Sequence, residues 1–253
     1  MRGLPAQIRV ASVLAGLIAW EVLGRILHTT IFAYPSTIGA AFFATIHQDD
    51  LLPRLGASLG VLSLGLSLAI VVGIPLGVLI ARKAIMEYAL DTYINALYAT
   101  PAVAFVPLIG MWFGFQTSAK VVVVFFFCVF PILINTYQGV KNIDARLVEV
   151  ARSFCSGESS LWRDLILPSA APFILAGIRL AIGRGLIGMV IAEVLLAAAG
   201  IGYLILQYMN TFRTDRLFVT IVLLMVMGVG LTGLLRNLER RIAPWLHETR
   251  GEL

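Results

Sequence analysis

Residues 139–169 read GVKNIDARLVEVARSFCSGESSLWRDLILPS. They are the longest polar stretch between two strongly apolar runs. They are not a flexible linker, because Ile143, Leu147, Val150, Ala151 and Phe154 recur at helical spacing, with Asp144, Arg146, Glu149 and Arg152 between them. Cys155-Ser156-Gly157 should break this first helix. A second short helix is expected after it, with Ser160 as its cap and Leu161, Trp162 and Leu165 as its apolar face. Leu167-Pro168 should stop that helix. The segment therefore reads as two amphipathic helices joined by a small-residue bend. A helix lying on lipid would carry mainly Lys and Arg on its polar face. This one mixes both signs nearly evenly, which suits a protein partner better.

On either side of it the chain is apolar. Of its 253 residues, 59% are hydrophobic and 13% charged, and the mean hydropathy is +0.92. A soluble globule of this length has too little interior for so much apolar surface, since typical soluble domains are about 45–50% apolar and about 25% charged. A soluble enzyme, a disordered chain and a disulfide-stapled secreted module are excluded. A membrane-crossing helix needs about 20 apolar residues, and six stretches qualify: 10–27, 56–81, 92–114, 121–138, 170–197 and 217–235. All are read as helices, because an open strand leaves its backbone groups unsatisfied in lipid. The expected fold is an all-α polytopic membrane protein, one domain over 1–253. Arg2 and Arg9 before the first run allow a signal peptide, but Glu21 and Arg25 follow without a clear cleavage site, so an uncleaved first span is favoured.

Even-numbered spans place both ends on one side. With the N-terminus inside, twelve of the nineteen Lys and Arg fall on the cytoplasmic side. Only Arg54, Lys120, Arg213 and Arg216 fall outside, and this bias sets both termini in the cytoplasm. The polar stretch 139–169 is then cytoplasmic. The outer segments are 28–55, 115–120 and 198–216, and the first has room for an interfacial helix capped by Ser36 or Thr37 after Pro35. The basic residues are scattered rather than clustered, so no nucleic-acid footprint is present despite a net charge of +5. No internal repeat supports an inverted-repeat secondary transporter.

The polar stretch resembles a known family. Glu149-Val150-Ala151 followed by Leu165-Ile166-Leu167-Pro168 is similar to the signature E-A-A-x(3)-G-x(9)-I-x-L-P of permease subunits of type I ABC importers. The spacing from Glu149 to Pro168 is intact. Val150 replaces the first Ala and Leu165 the Ile. Cys155 stands at the glycine position, with Gly157 two residues on; Cys tolerates positive φ poorly, so the sequence leaves open which residue makes the bend. Residues 98–114 (YATPAVAFVPLIGMWFG), Thr117-Ser118-Ala119-Lys120, Ala192-Glu193 and Gly200-Ile201-Gly202-Tyr203 resemble the branch importing nitrate, taurine, aliphatic sulfonates and thiamine precursors.

The resemblance implies the permease fold with a cytoplasmic coupling helix in 139–169. It implies a bacterial inner-membrane location, a second permease copy as a homodimer partner, two ATPase subunits and an extracytoplasmic solute-binding protein. Glu149, Val150, Ala151, Arg152, Cys155, Gly157, Leu165, Leu167 and Pro168 would dock the ATPase. The chain carries no G-x(4)-G-K-[ST] pattern. ATP and Mg are therefore expected on the ATPase, with no cofactor in this chain.

Charges within spans are costly and draw functional hypotheses. Glu21 and Arg25 are four apart, a favourable pairing distance on a helix. Arg179 sits near the cytoplasmic end of span five and is expected to snorkel. Arg184 lies deeper. Either carboxylates or carbonyls hold it, or it faces the translocation pathway and favours an anionic solute. Glu193, nine residues on, points to the opposite face and is expected to anchor the outer gate. Pro101 and Gly188 complete the pathway candidates, ordinary close packing being the competing reading for both. His28, His47 and His247 form no metal constellation, and H-E-x-x-H is absent, so a metal-dependent membrane hydrolase has no support. A standalone secondary transporter or channel is the alternative, with Glu193 its one weak coupling candidate.

Overall fold

The computed structural model describes residues 4–27, 32–196 and 199–242. Arg2, His28, His247 and Arg250 lie outside the described residues. The helices are α1 (Leu4–Leu27), α2 (Pro35–Gln48), α3 (Leu51–Arg82), α4 (Ala84–Ala99), α5 (Val106–Phe113), α6 (Thr117–Lys141), α7 (Ala145–Ser153), α8 (Glu158–Ser160), α9 (Leu167–Leu195), α10 (Ile201–Asn210) and α11 (Thr214–Ile242). A 3-10 turn, Ala102–Phe105, joins α4 to α5, and a π-helical stretch, Leu161–Ile166, joins α8 to α9. No strand occurs among the described residues. Among the described residues five helical stretches are long and apolar enough to cross a membrane, and a sixth crossing arises if α4 and α5 count together.

The structure corrects four local expectations. The third stretch, 92–114, is not one helix: α4 and the turn leading into α5 are bent by 88°. The break falls at Thr100-Pro101, where Thr100 turns extended (ψ 133°) because the residue before a proline avoids the α region. The interfacial helix exists as α2, but its cap position is Tyr34. Thr37 closes that turn by accepting the Tyr34 N–H at 3.1 Å and donating to the Tyr34 carbonyl at 2.8 Å. Pro168 does not end the second loop helix. The π stretch absorbs it: the Leu167 N–H reaches back five residues to the Trp162 carbonyl, which widens the turn where the proline ring would otherwise meet α-helical backbone. The outer segment 198–216 carries α10, which the sequence reading did not anticipate.

The chain packs as two compact units, residues 1–58 with 199–226, and residues 59–198 with 227–253. In the first, Glu21 pairs with Arg25 at 2.7 Å, as its spacing implied, and also accepts the Ser36 N–H and hydroxyl at 3.0 and 2.8 Å, tying α1 to α2. Trp20 donates to the Ala33 carbonyl at 3.0 Å. Ala41, Leu51, Leu204, Tyr208 and Val219 form the core of this unit. Arg216 does not sit in an open outer loop. It is buried in the first turn of α11, bonded to the Asp49 carboxylate and, at 2.6 Å, to Gln48.

The second unit is built on glycine-mediated helix contacts, as apolar helices in lipid require, since burial of apolar surface gives little drive there. On α3, a Cβ at Gly77 would lie 2.7 Å from the Leu133 carbonyl oxygen of α6. On α9, a Cβ at Gly177 would lie 2.8 Å from Asn135 Cβ, at Gly185 2.7 Å from Cys128 Sγ, and at Gly188 2.6 Å from Phe127 Cγ. Gly183, on the same helix, differs: nothing lies within 4 Å of its Cβ position. The Cys128 thiol donates to the Ala181 carbonyl at 3.3 Å across the same α6–α9 seam. Lys120, counted as an outer-loop charge, is buried in the first turn of α6.

Candidate functional site

Two places in the second unit gather the residues that the sequence singled out. The first is the polar loop. Asp144 caps α7 by accepting the Arg146 N–H at 2.9 Å. Cys155 adopts φ 55°, while Gly157 sits at φ −67° and caps α8. The bend is therefore made at the signature's glycine position by a cysteine, and Gly157 is extended. Ser160 is not the cap; it lies at the end of α8 and donates to Asp164 at 2.7 Å. Arg152 faces Glu158 across the bend at 3.8 Å.

The two loop helices use their apolar faces differently. Leu161 and Ile166 are buried, and Arg82 lies 5.2 Å over the Trp162 ring, so the second helix is seated on its own unit. α7 has no buried residue. Its apolar stripe is open: Leu147 is 50% exposed, Val150 53% and Phe154 81%. Glu149 and Arg152 flank that stripe and are exposed, whereas Leu165 is half-buried. Leu167 and Pro168 lie at the start of α9, on the far side of the π stretch from α7.

The second place is a cavity of 490 Å³ beside the α4–α5 break. Tyr98, Thr100 and Phe105 come from the broken segment, Trp112 from α5, Phe127 from α6 and Arg184 from α9. The Arg184 guanidinium carbon stands 4.6 Å from the Tyr98 ring centroid, a cation–π distance. No carboxylate among the described residues pairs with Arg184. About 16 Å of helix separates it from the C-terminal end of α9 at 1.5 Å per residue, roughly half of a 30 Å bilayer core. Pro101 adjoins this cavity through Thr100 and Ala102, both of which line it. Gly188 and Glu193 are placed elsewhere: Gly188 is packed on Phe127 in the α6–α9 seam, and Glu193 is fully buried.

Arg179, expected to snorkel, is paired near the C-terminal end of α11. Its Nη2 lies 2.6 Å from both carboxylate oxygens of Glu239 on α11. Sequence reading missed this partner, sixty residues away, although Glu239 among Arg236, Arg240 and Arg241 was a visible signal. It also missed Glu87, which accepts the Tyr137 hydroxyl at 2.6 Å and pairs with Lys141 at 2.5 Å. The aromatic cavity wall was missed as well; Phe126, Phe127 and Phe130 at helical spacing opposite Tyr98 were its only trace.

Residues 73–244 match the family described as "Binding-protein-dependent transport system inner membrane component". The protein named as an aliphatic sulfonates transport permease, SsuC, in Bacillus subtilis (strain 168) is 32% identical over 92% of this chain and 85% of its own length. Its namesake in Escherichia coli (strain K12) is 34% identical over 96% of this chain and 90% of its own. Among solved structures, an amino acid ABC transporter with histidines aligns at a TM-score of 0.64 and 19% identity, covering 79% of this chain and 98% of that one.

Proposed function

The chain belongs to the family of binding-protein-dependent transport system inner membrane components, and from this we propose that α7 is the lever through which an ATPase drives it. The chain is a permease subunit of an ABC importer, a multi-pass inner-membrane protein that works with an ATPase and a binding protein. The observation that carries the proposal is the open stripe of Leu147, Val150 and Phe154 along the capped helix α7 and its C-terminal turn. Exposed apolar residues rimmed by both charge signs mark a protein interface. Glu149, Val150, Ala151 and Arg152 make the contact; Cys155 and Gly157 set the angle of α7. Leu165, Leu167 and Pro168 join the loop to α9, so displacement of α7 passes into a helix that carries Arg184.

The remaining assignments extend this reading. The chain acts as one permease domain. Two copies pair in the lipid bilayer, with both termini in the cytoplasm. ATP and Mg are held by the ATPase, and this chain carries neither. The solute is a small organic anion; the relatives named for aliphatic sulfonates point the same way as Arg184. The test is copurification of the chain with its ATPase. Glu149→Arg and Phe154→Asp should each abolish the complex and solute-stimulated ATP hydrolysis. Full transport without any ATPase, or a complex indifferent to both substitutions, overturns the proposal.

A further inference from the structure

The Arg184 cavity has a shape and chemistry that narrow the solute class. Its volume of 490 Å³ lies within the range of about 300–1,000 Å³ typical of sites for organic molecules. At about 30 Å³ per water it has room for roughly 16 waters, so a one- or two-atom-wide inorganic anion would leave it mostly vacant. Its wall is almost wholly apolar and dominated by ring faces: Tyr98, Phe105, Trp112, Phe126, Phe127 and Phe130. Tyr98 and Phe130 stand 6.5 Å apart and tilted by 55°, which leaves ring faces available for a third ring.

Among these side chains Arg184 is the sole charge. The Arg184 guanidinium lies over the Tyr98 ring and carries its N–H donors in a planar fork. That fork matches the oxygens of a sulfonate or carboxylate in a two-point contact. The break at Thr100-Pro101 adds an independent sign. Irregular backbone at membrane depth persists where it lines a cavity or is covered by protein, and broken helices in transporters mark solute sites. Here residues 97–105 around the break supply five of the cavity's lining residues, Leu97, Tyr98, Thr100, Ala102 and Phe105.

We propose that this cavity is a solute-recognition site in the permease itself, specific for an organic anion with an aromatic body, the ring lying among Trp112, Phe126 and Phe130 and the anionic head on Arg184. The proposal rests on the importer reading above and deepens it. Short alkyl sulfonates and inorganic anions satisfy Arg184 but leave the ring-lined space wet, and neutral arenes fill the space but leave the guanidinium without a counter-charge.

The experiment uses the assembled permease–ATPase complex in lipid nanodiscs, with 1-naphthalenesulfonate as the fluorescent probe. Methanesulfonate, nitrate and neutral 1-methylnaphthalene are the comparison ligands. The expected result is saturable binding of 1-naphthalenesulfonate, displaced by arene sulfonates and arene carboxylates and not by methanesulfonate or nitrate at equal concentration. Arg184→Gln should weaken binding about tenfold or more, the scale of a lost charge-assisted contact. Arg184→Lys should recover part of it, and Val122→Trp, which fills the space from α6, should abolish it. Co-elution of each variant with the ATPase establishes that it is folded. Equal affinity in wild type and Arg184→Gln, equal displacement by methanesulfonate, or retention of a lipid chain that the probe never displaces overturns the proposal while leaving the importer reading intact. Failure of the wild-type chain to assemble with any ATPase would instead strike the importer reading.

Discussion

The α6–α9 seam allows a matched pair of substitutions on one helix, Gly188→Ala and Gly183→Ala. Both replace glycine by alanine in the interior of α9, so both gain the same intrinsic helix preference, about 1 kcal/mol. Only their surroundings differ. A Cβ at residue 188 would fall 2.6 Å from Phe127 Cγ and 3.0 Å from Phe127 Cβ. These atoms are the root of the side chain, so rotating the ring does not clear them, and the two helices must separate by the better part of an ångström to reach ordinary contact. Overpacking of that kind costs about 1–3 kcal/mol. At residue 183 nothing lies within 4 Å, and the cost is absent. Because the propensity gain cancels in the comparison, the difference between the variants is the overpacking cost alone. At about 2–4 °C per kcal/mol for a chain of this size, Gly188→Ala should melt about 2–12 °C below Gly183→Ala. The assay is the loss of monodisperse protein on heating in one detergent, followed by size exclusion. Equal midpoints, or a higher one for Gly188→Ala, would refute the account of the seam as glycine-enabled contact.

Three further outcomes follow from the packing and pairing described above. Arg216→Ala should destabilise by about 3 kcal/mol, because it strands the Asp49 carboxylate beside a buried side chain; thermal unfolding measures it, and Asp49→Asn combined with Arg216→Gln should recover part of the loss. Arg179→Ala should cost about 1 kcal/mol, a figure held down because the Arg179 side chain is 49% exposed, and exchanging the pair as Arg179→Glu with Glu239→Arg should restore part of the midpoint. At the loop, Cys155→Gly should favour the bend by about 0.5 kcal/mol, the left-handed penalty of about 1–2 less the backbone entropy of glycine. Cys155→Val should oppose it, because a branched side chain fits φ 55° badly. Limited proteolysis across residues 153–158 in membranes reads both: cutting slows in the first variant and quickens in the second.

Those residues also show what the sequence could and could not disclose. Apolar length is a one-dimensional property, so the spans at 10–27, 56–81, 121–138, 170–197 and 217–235 were visible, as was the helical period of 143–154. Whether a proline breaks a helix is not one-dimensional. Pro75, Pro131 and Pro172 lie inside unbroken helices and Pro107 in the first turn of α5, yet Pro101 marks an 88° bend. All five look alike in the chain; what differs is whether packing around the freed carbonyl can hold the helix together. Pairings across long separations were invisible for the same reason. Arg184 could be placed at depth by counting residues, but Tyr98, 86 positions earlier, becomes its neighbour only once α4 ends and the chain turns.

The Cys155 bend carries this argument one step further, because there residue identity and backbone state disagree. A cysteine at φ 55° is held by its neighbours: the Cys155 N–H bonds to the Arg152 carbonyl at 2.9 Å, and the Ser156 N–H to the Ala151 carbonyl at 3.2 Å. These are the closing bonds of a helix C-terminus, and they satisfy carbonyls of α7 that would otherwise be left open. The left-handed residue is therefore demanded by the geometry of stopping α7 and re-aiming the chain into α8. A glycine meets that demand freely and a cysteine meets it at a cost. A loop that keeps the costly bend instead of moving it to Gly157 reveals how narrowly the angle of α7 is set. In the proposed coupling role α7 must hold its angle, and the exposed side chains of Leu147, Val150 and Phe154 can meet a partner in register only if that angle is fixed.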